Sequence, residues 1–173
     1  MAEYMAVPAL WEEMLDLYAA PGMSEACVAV QDACDADVLL LLCAALLARR
    51  GLQLTPDIAE QLVAETRDWR REVIVPLRAL RRRWREQPAA GDLRERLKAL
   101  ELDAERSEVD MLQRMLDAAS LQSQSQPLGA AALLRANCAA ACPVVQRPTA
   151  CQDTLREFCD TVAAFLWPAP RGS

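Results

Sequence analysis

An uninterrupted run of eleven apolar residues, from Val38 to Ala48, constrains the fold of this chain most. A helix on the surface of a protein carries polar residues on its outer face, whereas this run offers no polar face at all. It also falls short of the roughly 18 apolar residues that a membrane span requires. Arg49, Arg50 and Gly51 follow it, as expected at a helix C-terminus. The run therefore predicts a buried central helix.

The composition predicts that the other elements are helices as well. Hydrophobic residues make up 53% of the 173 residues and Gly occurs only 5 times, while β-branched residues are sparse. We therefore expect an all-α bundle of six or seven helices around the central helix. The predicted organisation is a helical core at 1–119 that includes a long antiparallel hairpin, a polar linker at 120–127, and a helical pair at 128–173 that packs on the same domain.

The hairpin prediction begins with the segment Thr55–Glu86. Thr55 followed by Pro56 is typical of a helix N-terminus, and an apolar stripe continues past Pro76, which favours a bend over a loop. The turn at 88–92, with Asp92 as the expected cap, leads into a second long amphipathic helix. The residues of the first stripe are Leu62, Trp69, Val73, Leu77, Leu80 and Trp84.

A row of arginines lies on another face of the first hairpin helix when it is drawn as a regular α-helix. These residues are Arg67, Arg71, Arg78, Arg82 and Arg85. We expect a continuous basic strip that binds an acidic protein surface, which makes a non-enzymatic interaction or adaptor module the leading interpretation. The protein partner is unknown, and a homodimer is one option. The alternative is that these arginines pair with acids of the second hairpin helix. Nucleic-acid binding ranks third, because the tryptophans belong to the buried stripe and the net charge is −6.

An acidic turn between the second and third predicted helices is the other candidate. Asp32, Asp35 and Asp37, together with Gln31 and Tyr18, form a candidate polar site. Carboxylates of this kind can bind Mg²⁺, so a Mg²⁺-dependent enzyme or a binding protein for a phosphorylated small molecule is the alternative function. Helix capping explains the same aspartates. We assign no catalytic residue, metal ligand or cofactor, and the absence of histidine excludes Ser-His and Cys-His hydrolases.

The chain contains seven cysteines, and most of them lie inside apolar helical patterns. The N-terminal residues lack the features of a secretion signal, so we expect a cytoplasmic protein whose cysteines are reduced and buried. No tight C-x-x-C pair is present, which argues against a zinc site.

Several short motifs resemble those of DUF2390, a family of small uncharacterised bacterial proteins. The resemblance covers about residues 10–85 and implies a shared fold without implying an activity. The residues that carry it are Trp11, Leu17-Tyr18, Pro21-Gly22, Cys27, Gln31-Asp32, Ala36-Asp37-Val38 and Leu41, followed by Trp69-Arg70, Val75-Pro76-Leu77-Arg78 and Leu80-Arg81-Arg82.

Overall fold

The computed structural model describes residues 9–119, 121, 129–142 and 148–168, and within these ranges the chain forms helices and no strand. This confirms the all-α prediction. The predicted linker at 120–127 lies outside the described residues except for Leu121. The α-helices are α1 Leu10–Tyr18, α2 Met23–Cys34, α3 Val38–Arg49, α4 Pro56–Trp69, α5 Val75–Arg83, α6 Gly91–Ala118, α7 Ala130–Ala141 and α8 Thr149–Leu166. Since α4 and α5 are continuous through a π-helical turn, the described residues form seven helices.

Helix α3 is buried along nearly its whole length. The backbone N–H groups of Leu39 and Leu40 donate to Asp37 Oδ1 at 3.1 and 3.2 Å, which fixes the start of the helix. Every residue from Leu40 to Ala48 is at most 2% exposed. At the C-terminus Gly51 adopts a positive φ of 72°, a conformation that a residue without a Cβ enters at no steric cost. Helices α1, α2, α6 and α7 contact α3, so it occupies the interior of the bundle.

The first hairpin helix passes Pro76 without a loop. Thr55 Oγ1 accepts the N–H of Ile58 at 3.4 Å, as expected for the cap of α4. The five residues Arg70–Ile74 form a π-helical turn just before the proline, in which the N–H of Val75 donates to the carbonyl of Arg70. Proline lacks an N–H and collides with the carbonyl four residues back, and the wider turn makes room for its ring. The extra residue rotates α5 by roughly 100° relative to a regular helix.

Helices α4 and α5 run antiparallel to α6. Trp69 contacts α6 at Ala104, and Arg81, farther along the first helix, contacts it at the earlier residue Glu101. Asp92 was predicted to cap α6, but the helix begins at Gly91 and has no side-chain cap. Ser24, expected to cap α2, instead donates to Glu25 Oε2 at 2.9 Å, and Gly22 precedes the helix.

The C-terminal helices pack against the N-terminal ones, α7 against α3 and α8 against α2. Asn137, which is fully buried on α7, joins the end of α3 to the segment that follows it. Its Nδ2 donates to the carbonyls of Ala44 and Leu52 at 3.2 and 2.9 Å, and its Oδ1 accepts the N–H of Leu54 at 2.9 Å. This one side chain satisfies three buried backbone groups.

The prediction that all seven cysteines are reduced is wrong for one pair. Cys34 at the end of α2 and Cys151 in α8 are joined by a disulfide across 117 residues of sequence. Because α8 packs along α2, the two Cα atoms lie 5.1 Å apart, within the range that a disulfide spans. The other five cysteines are buried, as predicted. Among the described residues, no helix has the length and hydropathy to cross a membrane.

Candidate functional site

A cavity of about 370 Å³ lies between α1, α2 and α3 on one side and the hairpin of α5 and α6 on the other. Its size falls within the range of small-molecule sites. One wall is apolar, because four helices and the π turn contribute large side chains to it. These include Trp11, Leu15, Val28, Leu39, Ile74 and Leu102.

Charged side chains line the remainder of the cavity. The π turn and α5 contribute four arginines, and α6 contributes one lysine and three glutamates. Asp37, at the start of α3, is the fourth acidic residue of the lining. The cationic group consists of Arg70, Arg78, Arg81, Arg82 and Lys98, and the glutamates are Glu101, Glu105 and Glu108.

Two of the arginines are engaged by acids of α6. Arg78 donates from Nε to Glu101 Oε1 at 3.2 Å and from Nη2 to Glu105 Oε1 at 2.6 Å. Arg81 forms a two-pronged pair with Glu101, through Nε to Oε2 and through Nη2 to Oε1, the latter at 3.1 Å. The side chain of Glu101 is only 7% exposed, so this network is largely shielded from water.

Within this network the pKa of one glutamate is lowered and the pKa of the other is raised. Burial favours the neutral form of Glu101, but the hydrogen bonds and charges of Arg81 and Arg78 outweigh it and lower the pKa of this carboxyl. For Glu105 burial is the larger effect, and its pKa is raised despite the bond to Arg78. Burial also raises the pKa of Tyr18 at the edge of the cavity, so the phenol stays protonated at neutral pH.

Glu108 is the most unusual group in the cavity. The residue is 1% exposed, and among the described residues neither carboxyl oxygen accepts a hydrogen bond from a donor group, while the carboxyl of Asp37 is its hydrogen-bonding neighbour. Burial raises the pKa of Glu108 to about 10, and the neighbouring carboxylate of Asp37 acts in the same direction, while Arg70 acts against both. Glu108 is therefore protonated at neutral pH, which leaves the cationic side chains in excess around the cavity.

The residues of the predicted polar site do not all lie in the cavity. Tyr18, Gln31 and Asp37 line the cavity, whereas Asp32 and Asp35 are exposed and are not among its lining residues. Asp35, in a left-handed conformation with φ 48°, accepts from Arg70 Nη2 at 3.5 Å. Asp32 lies 4.0 Å from Arg82 Nη2.

Asp37 caps α3, as the capping interpretation of the acidic turn predicted. Across the described ranges, no group of three His, Cys, Asp or Glu side chains is arranged to hold a metal ion. The three aspartates of the turn therefore do not combine into the Mg²⁺ site considered from the sequence.

The predicted arginine strip is not continuous. Arg67, Arg71 and Arg85 are exposed, and the side chain of Arg82 is 55% exposed, but Arg78 turns inward onto α6. The cause is the π turn, since the prediction assumed a constant 100° per residue across Pro76. Arg71 pairs locally, with Asp68 at 3.1 Å and Glu72 at 2.9 Å.

Six charged residues of the cavity were missed from the sequence: Arg70, Arg81, Lys98, Glu101, Glu105 and Glu108. A signal for the glutamates was available, because spacings of four and three residues place them on one face of α6. Leu97, Ala104 and Leu112 are also buried on this helix, so the acids lie beside its core-facing side. Arg70 and Arg81 had no such signal.

The position of Trp69 argues against the hypothesis that the protein binds nucleic acid. Its indole Nε1 donates to the carbonyl of Ala104 at 3.0 Å inside the hairpin. A ring held in this way cannot serve as an exposed stacking platform for bases.

Comparisons with known proteins give one match. No curated protein and no solved structure is significantly similar to the chain. The model of the family described as "Protein of unknown function (DUF2390)" matches residues 9–112, more than half of the chain. The match ends inside α6 and contains every residue that lines the cavity. The chain therefore belongs to the DUF2390 family.

Proposed function

We propose that this protein binds a small amphipathic anion in the cavity between α1–α3 and the hairpin. The observation that carries the proposal is the division of the lining into an apolar wall and a wall with an excess of cationic groups. Apolar pockets with a few convergent polar groups and perturbed pKa values are the usual form of a ligand site. The apolar part of the ligand would lie against Trp11 and Leu39, and its anionic group would meet the arginines.

Arg82 and Lys98 are the groups best placed to receive the anion. Arg78 and Arg81 are engaged by Glu101 and Glu105, whereas the nearest acid to Arg82 is the exposed Asp32 at 4.0 Å. Lys98 lines the cavity and is exposed to solvent. A phosphate or carboxylate at this edge would therefore gain two cations and would compete with the exposed carboxylate of Asp32, which lies 4.0 Å from Arg82.

Hexyl phosphate is a suitable probe, with hexanol and inorganic phosphate as its two halves. We expect hexyl phosphate to raise Tm and to bind more tightly than either half, by calorimetry. Arg82→Gln and Lys98→Gln should each weaken binding about fivefold, or roughly 1 kcal/mol. Arg85→Gln is the matched control, because this exposed arginine does not line the cavity.

The proposal fails if hexyl phosphate binds no better than hexanol, or if Arg85→Gln weakens it as much as Arg82→Gln. Equal loss in all three variants would indicate only a general attraction of anions to the basic end of the hairpin.

A protein-interaction role remains the second candidate, and the exposed side chains of the hairpin favour it. Arg67 and Arg85 face solvent, and Leu93 and Leu100 are 51% and 53% exposed on α6. A hairpin that exposes both arginines and leucines suits a partner surface that carries acidic and apolar groups. The double change Arg67→Gln and Arg85→Gln should then abolish binding of an acidic protein partner while leaving hexyl phosphate binding intact. The reverse result would exclude this role.

A further inference from the structure

The cavity contains a buried acid that the proposed anion site does not use. Glu108 lines the cavity from α6 and is 1% exposed, and within the described residues neither of its carboxyl oxygens accepts a hydrogen bond from a donor group, so that its polar neighbour is another acid, Asp37. Buried polar groups are nearly always paired, because an unpaired one loses its bonds to water without replacement. A group of this kind that faces a cavity indicates that the cavity accepts something able to bond to it.

We propose that Glu108 and Asp37 form a subsite for a protonated primary amine, so that the ligand is an amphipathic anion with an ammonium group at its other end. This inference rests on the proposed function and specifies the ligand class. The ammonium would occupy the buried end of the cavity, and the anion would occupy the exposed end at Arg82 and Lys98.

The charges around Glu108 favour an amine over an uncharged group. Asp37, from the start of α3, and Glu105, on α6, are the acids that act on Glu108, and Arg70 in the π turn is the cation. Arg70 is already engaged by the carbonyl of Ala36 at 3.1 Å and by Asp35. A hydroxyl could supply one hydrogen bond, but an ammonium supplies three donors and also compensates negative charge.

The distance between the two subsites suits a ligand with a spacer. Lys98 and Glu108 are ten residues apart on α6, which corresponds to about 15 Å along the helix axis. Both side chains reach into the cavity and shorten this span. The apolar wall between them, which includes Leu39, Ile74 and Leu102, would contact the spacer. A chain of about four to eight carbons between the amine and the anion is therefore expected.

Amine binding should release a proton. In the unliganded protein Glu108 is the protonated acid, because burial and Asp37 raise its pKa. An ammonium group stabilises the carboxylate, so the acid O–H bond breaks, the electron pair stays on the carboxylate, and the proton passes to the buffer. The products are a carboxylate–ammonium pair and one buffered proton. Because binding releases a proton, affinity for the amine increases with pH until the free amine itself deprotonates.

The test compares 6-aminohexyl, 6-hydroxyhexyl and hexyl phosphate, which differ only at the end opposite the phosphate. Calorimetry at pH 8 in two buffers of different ionisation enthalpy should show about one proton released for the amine and none for the other two. The amine should bind at least about tenfold more tightly than the hydroxyl compound, and its Kd should fall about tenfold per unit between pH 7 and pH 9.

Glu108→Gln keeps the size of the side chain and removes the titration. We expect this variant to bind hexyl phosphate unchanged, to lose the preference for the amine, and to release no proton. Glu95→Gln, an exposed change on the same helix, should behave like the parent.

Equal affinity for the three compounds, or proton release that persists in Glu108→Gln, would overturn the amine subsite. Hexyl phosphate binding that weakens about fivefold in Arg82→Gln and is unchanged in Arg85→Gln would in that case still support the anion site. If none of the three compounds binds, the proposed function fails along with the subsite, so the two failures are distinguishable.

Discussion

The interior around α3 is held together by apolar packing, whereas ion pairs join the hairpin helices α5 and α6. Nine consecutive residues of α3 are buried, all of them apolar, whereas α5 has no buried residue at all. Arg78 and Arg81 of α5 form salt bridges to Glu101 and Glu105 of α6. Burial of apolar side chains stabilises the interior in proportion to the area removed from water. Ion pairs stabilise the hairpin little, because the cost of desolvating the charges offsets most of their attraction.

This difference explains why the cavity lies where it does. A close-packed apolar interior leaves few voids, so a ligand-sized space is more readily kept at the seam between the two regions. The hairpin side contributes charged groups that hold each other in place, and the α1–α3 side contributes the apolar wall. Both regions therefore contribute side chains to the site.

The largest predicted difference between the two regions is their response to the same introduced charge. Ala44→Asp introduces a carboxyl at a position of 0% exposure in α3, and we expect a loss of more than about 4 kcal/mol or failure to fold. Ala79→Asp makes the identical change on the exposed side of α5 and should cost less than about 1 kcal/mol. Urea unfolding followed by circular dichroism measures both, and similar losses would contradict the distinction.

The sequence predicted the interior better than the hairpin, for a physical reason. An apolar run such as Val38–Ala48 has one favourable environment, so its burial follows from composition alone. The direction in which the Arg78 side chain points depends on the π turn at Arg70–Ile74. The periodic pattern of the sequence does not show that this turn contains one extra residue.

The same limit applies to contacts between segments that are distant in sequence. The disulfide between Cys34 and Cys151 depends on how α8 lies along α2, which a single sequence does not specify. The cavity was missed as a unit for this reason, although Tyr18, Gln31, Asp37, Arg78 and Arg82 had each been singled out.

The second prediction concerns the covalent link, which belongs to the interior and has no counterpart in the hairpin. Reducing the Cys34–Cys151 disulfide should lower stability by about 3 kcal/mol, because the link closes a loop of more than one hundred residues in the unfolded chain. The measurement is urea unfolding with and without a phosphine reductant.

A variant with both Cys34→Ala and Cys151→Ala should be insensitive to the reductant, whereas Cys43→Ala should respond as the parent does. If the double variant still responds, another pair of thiols is involved. The redox state of this pair in the source cell also tests the cytoplasmic prediction, since disulfides persist mainly in oxidising compartments.

The smallest predicted effect is that of Glu101→Gln in the hairpin. This change leaves Arg78 and Arg81 with a neutral partner and should cost about 2 kcal/mol at pH 7, less than a fully buried pair because both arginines are partly exposed. The pKa of Glu101 is lowered in the folded protein, so its contribution is present above the unfolded value of 4.5 and is lost as pH falls through the folded pKa. Unfolding free energies of parent and variant should therefore converge only as pH falls through the folded pKa of Glu101, which lies below 4.5, whereas Glu95→Gln should match the parent throughout. A gap that persists in acid would mean that Glu101 stabilises the hairpin through packing and that its charge contributes little.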